Sequence, residues 1–251
     1  MEILPGIHVV PGTAWSRVYL IEGDTLALVD TGLPWDARGV LKYIGAIGRS
    51  AEELRLILMT HSHPDHTSGA LAIRRRSGAE IVAHAQDNKV HSDRQVSLSY
   101  MGVFTSLRFP VPFLERTPVD HIVADGQVLP ALDGIRVIHT PGHTPGSVCY
   151  LLEDRGLLFS GDTVFSNGRR VSRSVPFPGS DRHDYRRSLE RLATLEFDSL
   201  LGGHGAPLVG RASDRLRELL AAKPEPPSWG GYLASIPSRL YHARGLRGED
   251  Y

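Results

Sequence analysis

The chain of 251 residues has a single cysteine, Cys149, only three lysines, and no net charge. One thiol cannot close an intramolecular disulfide, which excludes a small oxidised scaffold held together by crosslinks. With 28 basic residues balanced by 28 acidic ones, no overall field draws the chain to nucleic acid or to an anionic membrane. No apolar run approaches the ~18 residues that span a bilayer. The opening segment, MEILPGIHVVPG, lacks the basic-then-apolar pattern of a secretory signal. A cytoplasmic location, with neither membrane nor nucleic acid as partner, is therefore expected. Three catalytic signatures are also missing: the Gly-x-Ser-x-Gly elbow, the Gly-x-x-x-x-Gly-Lys phosphate loop and the Gly-x-Gly-x-x-Gly dinucleotide fingerprint. Cys149 lies in an apolar stretch and reads as an inert buried thiol.

What is present is an ordinary globular composition, 41% hydrophobic and 22% charged, long enough to bury a substantial core. Short apolar runs alternate with amphipathic segments. Strands are expected at Val18–Ile21, Leu26–Val29, Leu54–Met59, Glu80–Ala83, Ile135–Ile138, Val148–Leu152 and Leu157–Phe159, and one ends at Leu200–Leu201. Helices are expected from Asp36, over Gly69–Ser77, from a cap at Asp184 and from a cap at Ser213. This alternation predicts an α/β class of layers around a sheet core. The expected organisation is a single domain over 1–223, interrupted by a hydrophobic insertion at about 90–120, and a C-terminal tail over 224–251 packed on it. The insertion is rich in Tyr, Phe, Leu and Val until Pro110 and Pro112 forbid a continuing helix.

The decisive string is His61-Ser62-His63-Pro64-Asp65-His66, directly after a buried strand. Imidazole is a strong ligand for borderline metals, and carboxylate adds neutralising charge. Three imidazoles and a carboxylate on a turn stiffened by proline can face one point, and the pattern arises by chance ~0.002 times in such a chain. Three further polar residues follow apolar strands: His143 in Thr140-Pro141-Gly142-His143-Thr144-Pro145-Gly146, Asp162 in Ser160-Gly161-Asp162-Thr163, and His204 in Gly202-Gly203-His204-Gly205. Ligands at the ends of successive strands gather at one edge of a sheet, where glycine lets backbone approach closely.

With these residues in order, the sequence resembles the metallo-β-lactamase-fold hydrolase superfamily over roughly Val18 to Gly205, and Asp30 in Val29-Asp30-Thr31-Gly32 matches a further segment of its pattern. The resemblance implies a four-layer αβ/βα sandwich of two packed mixed sheets flanked by helices. It implies two divalent metal ions per chain, zinc foremost, with iron or manganese as alternatives. His61, His63 and His143 would hold one ion, Asp65, His66 and His204 the second, and Asp162 would bridge them. Asp65 would also orient a metal-bridging hydroxide or shuttle its proton, and Asp30 would stand behind the ligands, accepting a hydrogen bond from an imidazole.

Within that superfamily the surroundings favour hydrolysis of an ester, thioester or lactone bond in a small, partly apolar substrate, in the glyoxalase II-like or lactonase-like branch. Gly161-Asp162-Thr163-Val164-Phe165 is similar to glyoxalase II-like thioesterases, which add a helical glutathione-binding region; only 47 residues follow His204 here. Lactonases place a tyrosine where this chain has Phe165, and Tyr185, Tyr232 or Tyr241 are candidates to replace it. Trp15, Trp35, Phe104 and Phe165 are the candidate pocket walls. A phosphodiesterase, phosphotriesterase or β-lactamase activity on the same site is the alternative, and a mono-iron persulfide dioxygenase-like oxidoreductase is another. The partners expected are a small-molecule substrate and, as a homodimer, a second copy of the chain.

Overall fold

The computed structural model describes residues 1–13, 15–87, 117–130, 134–176 and 179–222. All but the last few residues of the expected insertion, Phe104 included, and the C-terminal tail lie outside them. In the first half, β1 (Glu2–Leu4), β2 (Ile7–Val9), β3 (Tyr19–Glu22), β4 (Leu26–Val29), β5 (Leu54–Leu58), β6 (Glu80–His84) and β7 (His121–Val123) form one sheet in that order. β1 to β4 are antiparallel neighbours, while β4 to β7 run parallel. The second half contributes β8 (Val128–Leu129), β9 (Ile135–His139), β10 (Val148–Leu152), β11 (Leu157–Gly161), β12 (Val164–Asn167), β13 (Val171–Arg173), β14 (Ser199–Gly202), β15 (Gly205–Ala206) and β16 (Leu208–Val209). Six of these build a second mixed sheet in the order β16-β14-β11-β10-β9-β8, and β13-β12-β15 form a small third one.

Helices α1 (Ala37–Ala46), α2 (Pro64–Thr67) and α3 (Ala70–Ser77) belong to the first half, α4 (Arg182–Leu192) and α5 (Ala212–Ala221) to the second. Strand alternation decides which side chain meets which layer. On β3, Tyr19 and Ile21 point between the two large sheets, where they meet Val137, Tyr150 and Phe159, while Leu20 joins Val40, Ile44 and Ile73 of α1 and α3 outside. On β10, Val148 and Tyr150 enter the same central layer, and Cys149 and Leu151 pack outward with Leu189, Leu192 and Leu216 of α4 and α5. Strands covered on both faces carry no polar relief, which is why Leu54–Leu58 reads as a nearly continuous apolar run. The result is helices, sheet, sheet, helices: the αβ/βα sandwich. Each fully buried Leu, Ile or Phe contributes ~1.5–3 kcal/mol to it.

Two helix starts differ from the sequence expectation. The cap of α4 is Asp181, whose carboxylate accepts from the backbone N–H of His183 at 2.8 Å and of Asp184 at 2.9 Å. Asp184 is already inside the first turn, where its charge faces the helix dipole. At α5 the cap position is Arg211 in the left-handed region, φ 59°, and Ser213 lies within the helix, its hydroxyl donating to Glu196 at 3.3 Å.

Register then brings distant residues together. Val29 pairs with Leu58 and Gly161 pairs with Gly202. The chain emerging from β4 therefore meets the chain emerging from β5, and that from β11 meets that from β14. Between the sheets, Val148 N–H donates to the Thr60 carbonyl at 2.8 Å, closing this edge of the sandwich.

Candidate metal centre

Asp30 turns the chain sharply after β4 with φ 60°, a conformation that short polar side chains tolerate better than most. Its carboxylate accepts from Thr60 N–H at 2.9 Å, from the Thr60 hydroxyl at 2.8 Å, and from His66 Nδ1 at 2.7 Å. The His-rich string follows β5. His63 stands before α2, and Pro64 occupies its first position, where its missing N–H costs nothing. The His66 carbonyl accepts from Thr31 N–H at 2.7 Å and from the Thr31 hydroxyl at 2.9 Å, and the Ser16 hydroxyl donates to the Asp65 carbonyl. His143 comes from the β9–β10 turn, Asp162 directly after β11, and His204 two residues after β14. Gly203 permits this approach: a Cβ there would lie 2.3 Å from Asp162 Oδ1 and 2.7 Å from the His66 ring.

All seven side chains are buried, and their donor atoms form two groups, His61, His63, His143 and Asp162 in one and Asp65, His66 and His204 in the other. In the first group, His63 Nδ1 lies 3.1 Å from His61 Nε2 and 3.0 Å from His143 Nε2, with Asp162 Oδ2 3.4 Å from His143 Nε2. In the second, His66 Nε2 and His204 Nε2 are 3.4 Å apart, and Asp65 Oδ2 is 3.6 and 3.5 Å from them. Asp162 reaches this group too, with Oδ1 3.3 Å from His66 and Oδ2 3.3 Å from His204.

The hydrogen bonds of the outward-facing nitrogens orient each ring. Thr60 gives its hydroxyl proton to Asp30 and so accepts from His61 Nδ1, 3.0 Å away. Ser174 stands in the same relation to His143 Nδ1 at 3.1 Å, and the Trp15 backbone carbonyl accepts from His204 Nδ1 at 2.9 Å. With Nδ1 of His61, His66, His143 and His204 donating outward, their Nε2 atoms converge on the centre, where a metal ion would replace any proton they carry. Asp162 Oδ1 is buried there without a well-aligned hydrogen bond. Imidazole nitrogens and carboxylate oxygens gathered at one buried point are the donor set that divalent cations take. The residues present fit a pair of metal ions.

The electrostatics divide in the same way. Burial, reinforced by neighbouring imidazoles, holds His61 well below its ordinary value and pushes His63 down to about 4 and His143 to about 3. Burial works against protonation of His66 and His204 as well. Asp162 and Asp65, joined at His66 by Asp30, outweigh it and raise both. Burial likewise opposes ionisation of Asp162, but His204 and His66 keep its carboxyl well below the usual range.

The candidate pocket residues have separate fates. Phe165 is buried with its ring 5.2 Å from that of His204, edge to face, and the half-buried Trp15 steers His204 through its backbone. Trp35 is 55% exposed in the loop after Asp30. Tyr185 is unsuited to touch a substrate: its hydroxyl donates to the Thr163 carbonyl at 2.8 Å and accepts from Ser174 N–H at 2.6 Å, and burial raises its pKa well above the ordinary phenol range. Tyr232 and Tyr241 lie outside the described residues. His84 stacks on His139, ring centroids 4.0 Å apart, and His183 is on the surface. Cys149 is fully buried, which pushes its thiol up to about 11. Sequence reasoning missed Thr60, Ser174 and Asp87, although Thr60 directly precedes the His-rich string.

Comparison with known proteins agrees with this geometry. The probable metallo-hydrolase YqjP of Bacillus subtilis (strain 168) is 26% identical over 76% of this chain and 67% of its own length. The hydroxyacylglutathione hydrolase GloC of Haemophilus influenzae is 28% identical over 80% of this chain and 91% of its own. Among solved structures, TTHA1623 in a di-iron-bound form superposes with a TM-score of 0.64 at 25% identity, covering 80% of this chain and 93% of that one. Residues 16–204 match the sequence profile described as the metallo-beta-lactamase superfamily, and the chain belongs to that superfamily.

Proposed function

We propose that the protein is a dinuclear zinc hydrolase that cleaves an ester, thioester or lactone bond in a small, partly apolar substrate. The observation that carries this reading is the position of Asp162, whose two oxygens reach His66 and His204 on one side and His143 on the other. A carboxylate so placed is suited to bridge two ions. When bound, the ions supply a hydroxide nucleophile near neutral pH and a Lewis acid for the substrate carbonyl. Imidazole and carboxylate are common zinc ligands, and zinc is the ion we assign to the site.

The chain's own residues hold and orient. Hydrogen bonds behind each ring fix which nitrogen faces inward, so little reorganisation is needed during the reaction. Asp65, at the rim of the second group, accepts the proton of the attacking water at Oδ2 and returns it to the leaving alcohol or thiol. Phe165 against His204 and the exposed Trp35 offer apolar surface to the rest of the substrate. The naming of GloC as a hydroxyacylglutathione hydrolase supports a thioester within this class.

Two measurements test the reading. Elemental analysis of the purified protein should find about two zinc ions per chain; one iron per chain, with oxygen consumed in the presence of a persulfide, would replace it by the dioxygenase alternative. On a matched panel of acyl lactones, thioesters and bis-aryl phosphodiesters, kcat/KM should be highest for an acyl substrate. Phosphodiester turnover dominating that panel would overturn the assignment.

A further inference from the structure

Asp87 lies just beyond β6, outside both ligand groups, and is 1% exposed. Its carboxylate Oδ2 accepts from Ser62 N–H at 2.7 Å and from the Thr144 hydroxyl at 2.8 Å, and Oδ1 accepts from Gly146 N–H at 2.7 Å. Ser62 stands between His61 and His63, and Thr144 follows His143. One carboxylate thus ties together the two chain segments, separate in sequence, that deliver the three-imidazole group. Gly146 is part of the same arrangement: a Cβ on it would lie 2.4 Å from Asp87 N and 2.5 Å from Oδ1, so only glycine lets this backbone reach the carboxylate.

Among the described residues no Lys, Arg or His forms an ion pair with Asp87. A buried carboxylate without a cation is costly even when fully hydrogen-bonded. Burial raises its proton affinity, and the donors from Thr144, Gly146 and Ser62 pull against that. The group it braces, His61, His63 and His143, is one in which a metal cation could be held.

We propose that Asp87 is a positioning residue for the metal ion of the His61, His63 and His143 group, holding the two ligand segments in register and placing a compensating negative charge behind them. This rests on the two-metal reading above. It differs from a purely structural tie in what it predicts: the charge and the acceptor geometry should set the affinity of one metal ion and leave the other nearly unaffected.

The test is competition between the metal-free protein and a chromophoric zinc chelator, which yields two dissociation constants. The constant that survives in His66→Ala identifies the three-imidazole group. Asp87→Asn keeps the shape while removing the charge and turning an amide towards a donor. It should weaken that constant by about 10- to 100-fold, the usual range for residues that orient metal ligands, with the other constant nearly unchanged. Thermal melting of the metal-free forms controls for folding. Should Asp87→Asn not fold, Thr144→Val and Thr144→Ser decide: the first should weaken the same constant and the second restore it. Wild-type affinity at both sites in Asp87→Asn, equal weakening of both, or no difference between the two Thr144 variants would overturn the proposal while leaving the two-metal reading intact. A wild-type chain that binds no zinc would overturn that reading, and this inference with it.

Discussion

The two halves of the centre use the same side chain against different backgrounds. His61 and His143 lean on the hydroxyls of Thr60 and Ser174, whereas His66 leans on the Asp30 carboxylate and His204 on a backbone carbonyl. A hydroxyl fixes an imidazole's tautomer without adding charge; a carboxylate fixes it and makes the inward nitrogen more basic. Burial decides the first half, whose rings stay neutral, while Asp162 and Asp65 outweigh it in the second, whose rings are drawn towards protonation. The first half is ready to accept a cation as it stands. The second must release protons to the ion that replaces them, so its metal uptake should strengthen as pH rises.

Asp162 belongs to both halves, and removing it should have the largest effect. Asp162→Ala removes the carboxylate that reaches both groups and, on the proposed reading, an oxygen ligand from each ion. Catalysis supplied by the ion pair amounts to several kcal/mol, so kcat/KM on the best acyl substrate should fall by about three orders of magnitude or more. Metal content should drop in parallel. Full activity with two ions still bound would show that the halves do not depend on a common bridge.

Asp30→Asn probes the contrast itself. Asparagine tolerates the left-handed backbone that Asp30 adopts, so the substitution changes charge far more than conformation. Zinc affinity at the Asp65, His66 and His204 group should weaken by about 10- to 100-fold, and by less at the three-imidazole group, which Asp30 reaches only through the Thr60 hydroxyl beside His61. Paired with Asp87→Asn, this gives opposite preferences from two buried carboxylates, Asp30 touching His66 directly and Asp87 touching residues beside His61, His63 and His143. Equal loss at both groups in Asp30→Asn would mean that the turn, and not the charge, is what matters.

The legibility of the centre follows the same division. Four of the seven candidate ligands fall within six consecutive residues, and the turn that carries them is visible because a buried apolar strand precedes it. His143, Asp162 and His204 were readable because each follows an apolar strand and is flanked by glycine. Asp87 had no such signal: its partners Ser62, Thr144 and Gly146 lie 25, 57 and 59 residues away, and only the packed sandwich makes them neighbours. Ser174 was hidden for the same reason. Strands of two or three residues such as β8, β13 and β15 are too short to display alternation, and they exist because longer strands already lie beside them. Tyr185 misled because its helical spacing with Leu189 correctly placed it on a buried face, while spacing carries no information on where a phenol finds its hydrogen-bond partners.

The smallest effect comes from a histidine outside both groups. His84, stacked on His139, is held at about 4 by burial first and by the neighbouring ring second, with Asp125 pulling the other way. Its pKa in the folded chain is below the unfolded value of ~6.5, so between these limits the unfolded chain binds the extra proton. The stability it contributes is complete above about pH 6.5 and is lost as pH falls towards 4. His84→Gln removes this one titration, so the variant should lose less stability than wild type over that window, measured as urea midpoints of the two metal-free proteins. His84 is partly exposed, which screens the effect and keeps it below that of any carboxylate at the centre. Parallel curves for the two proteins would mean that burial and an adjacent ring do not suffice to keep an imidazole neutral, and the explanation given for His61 and His143 would then have to rest on the hydroxyls behind them.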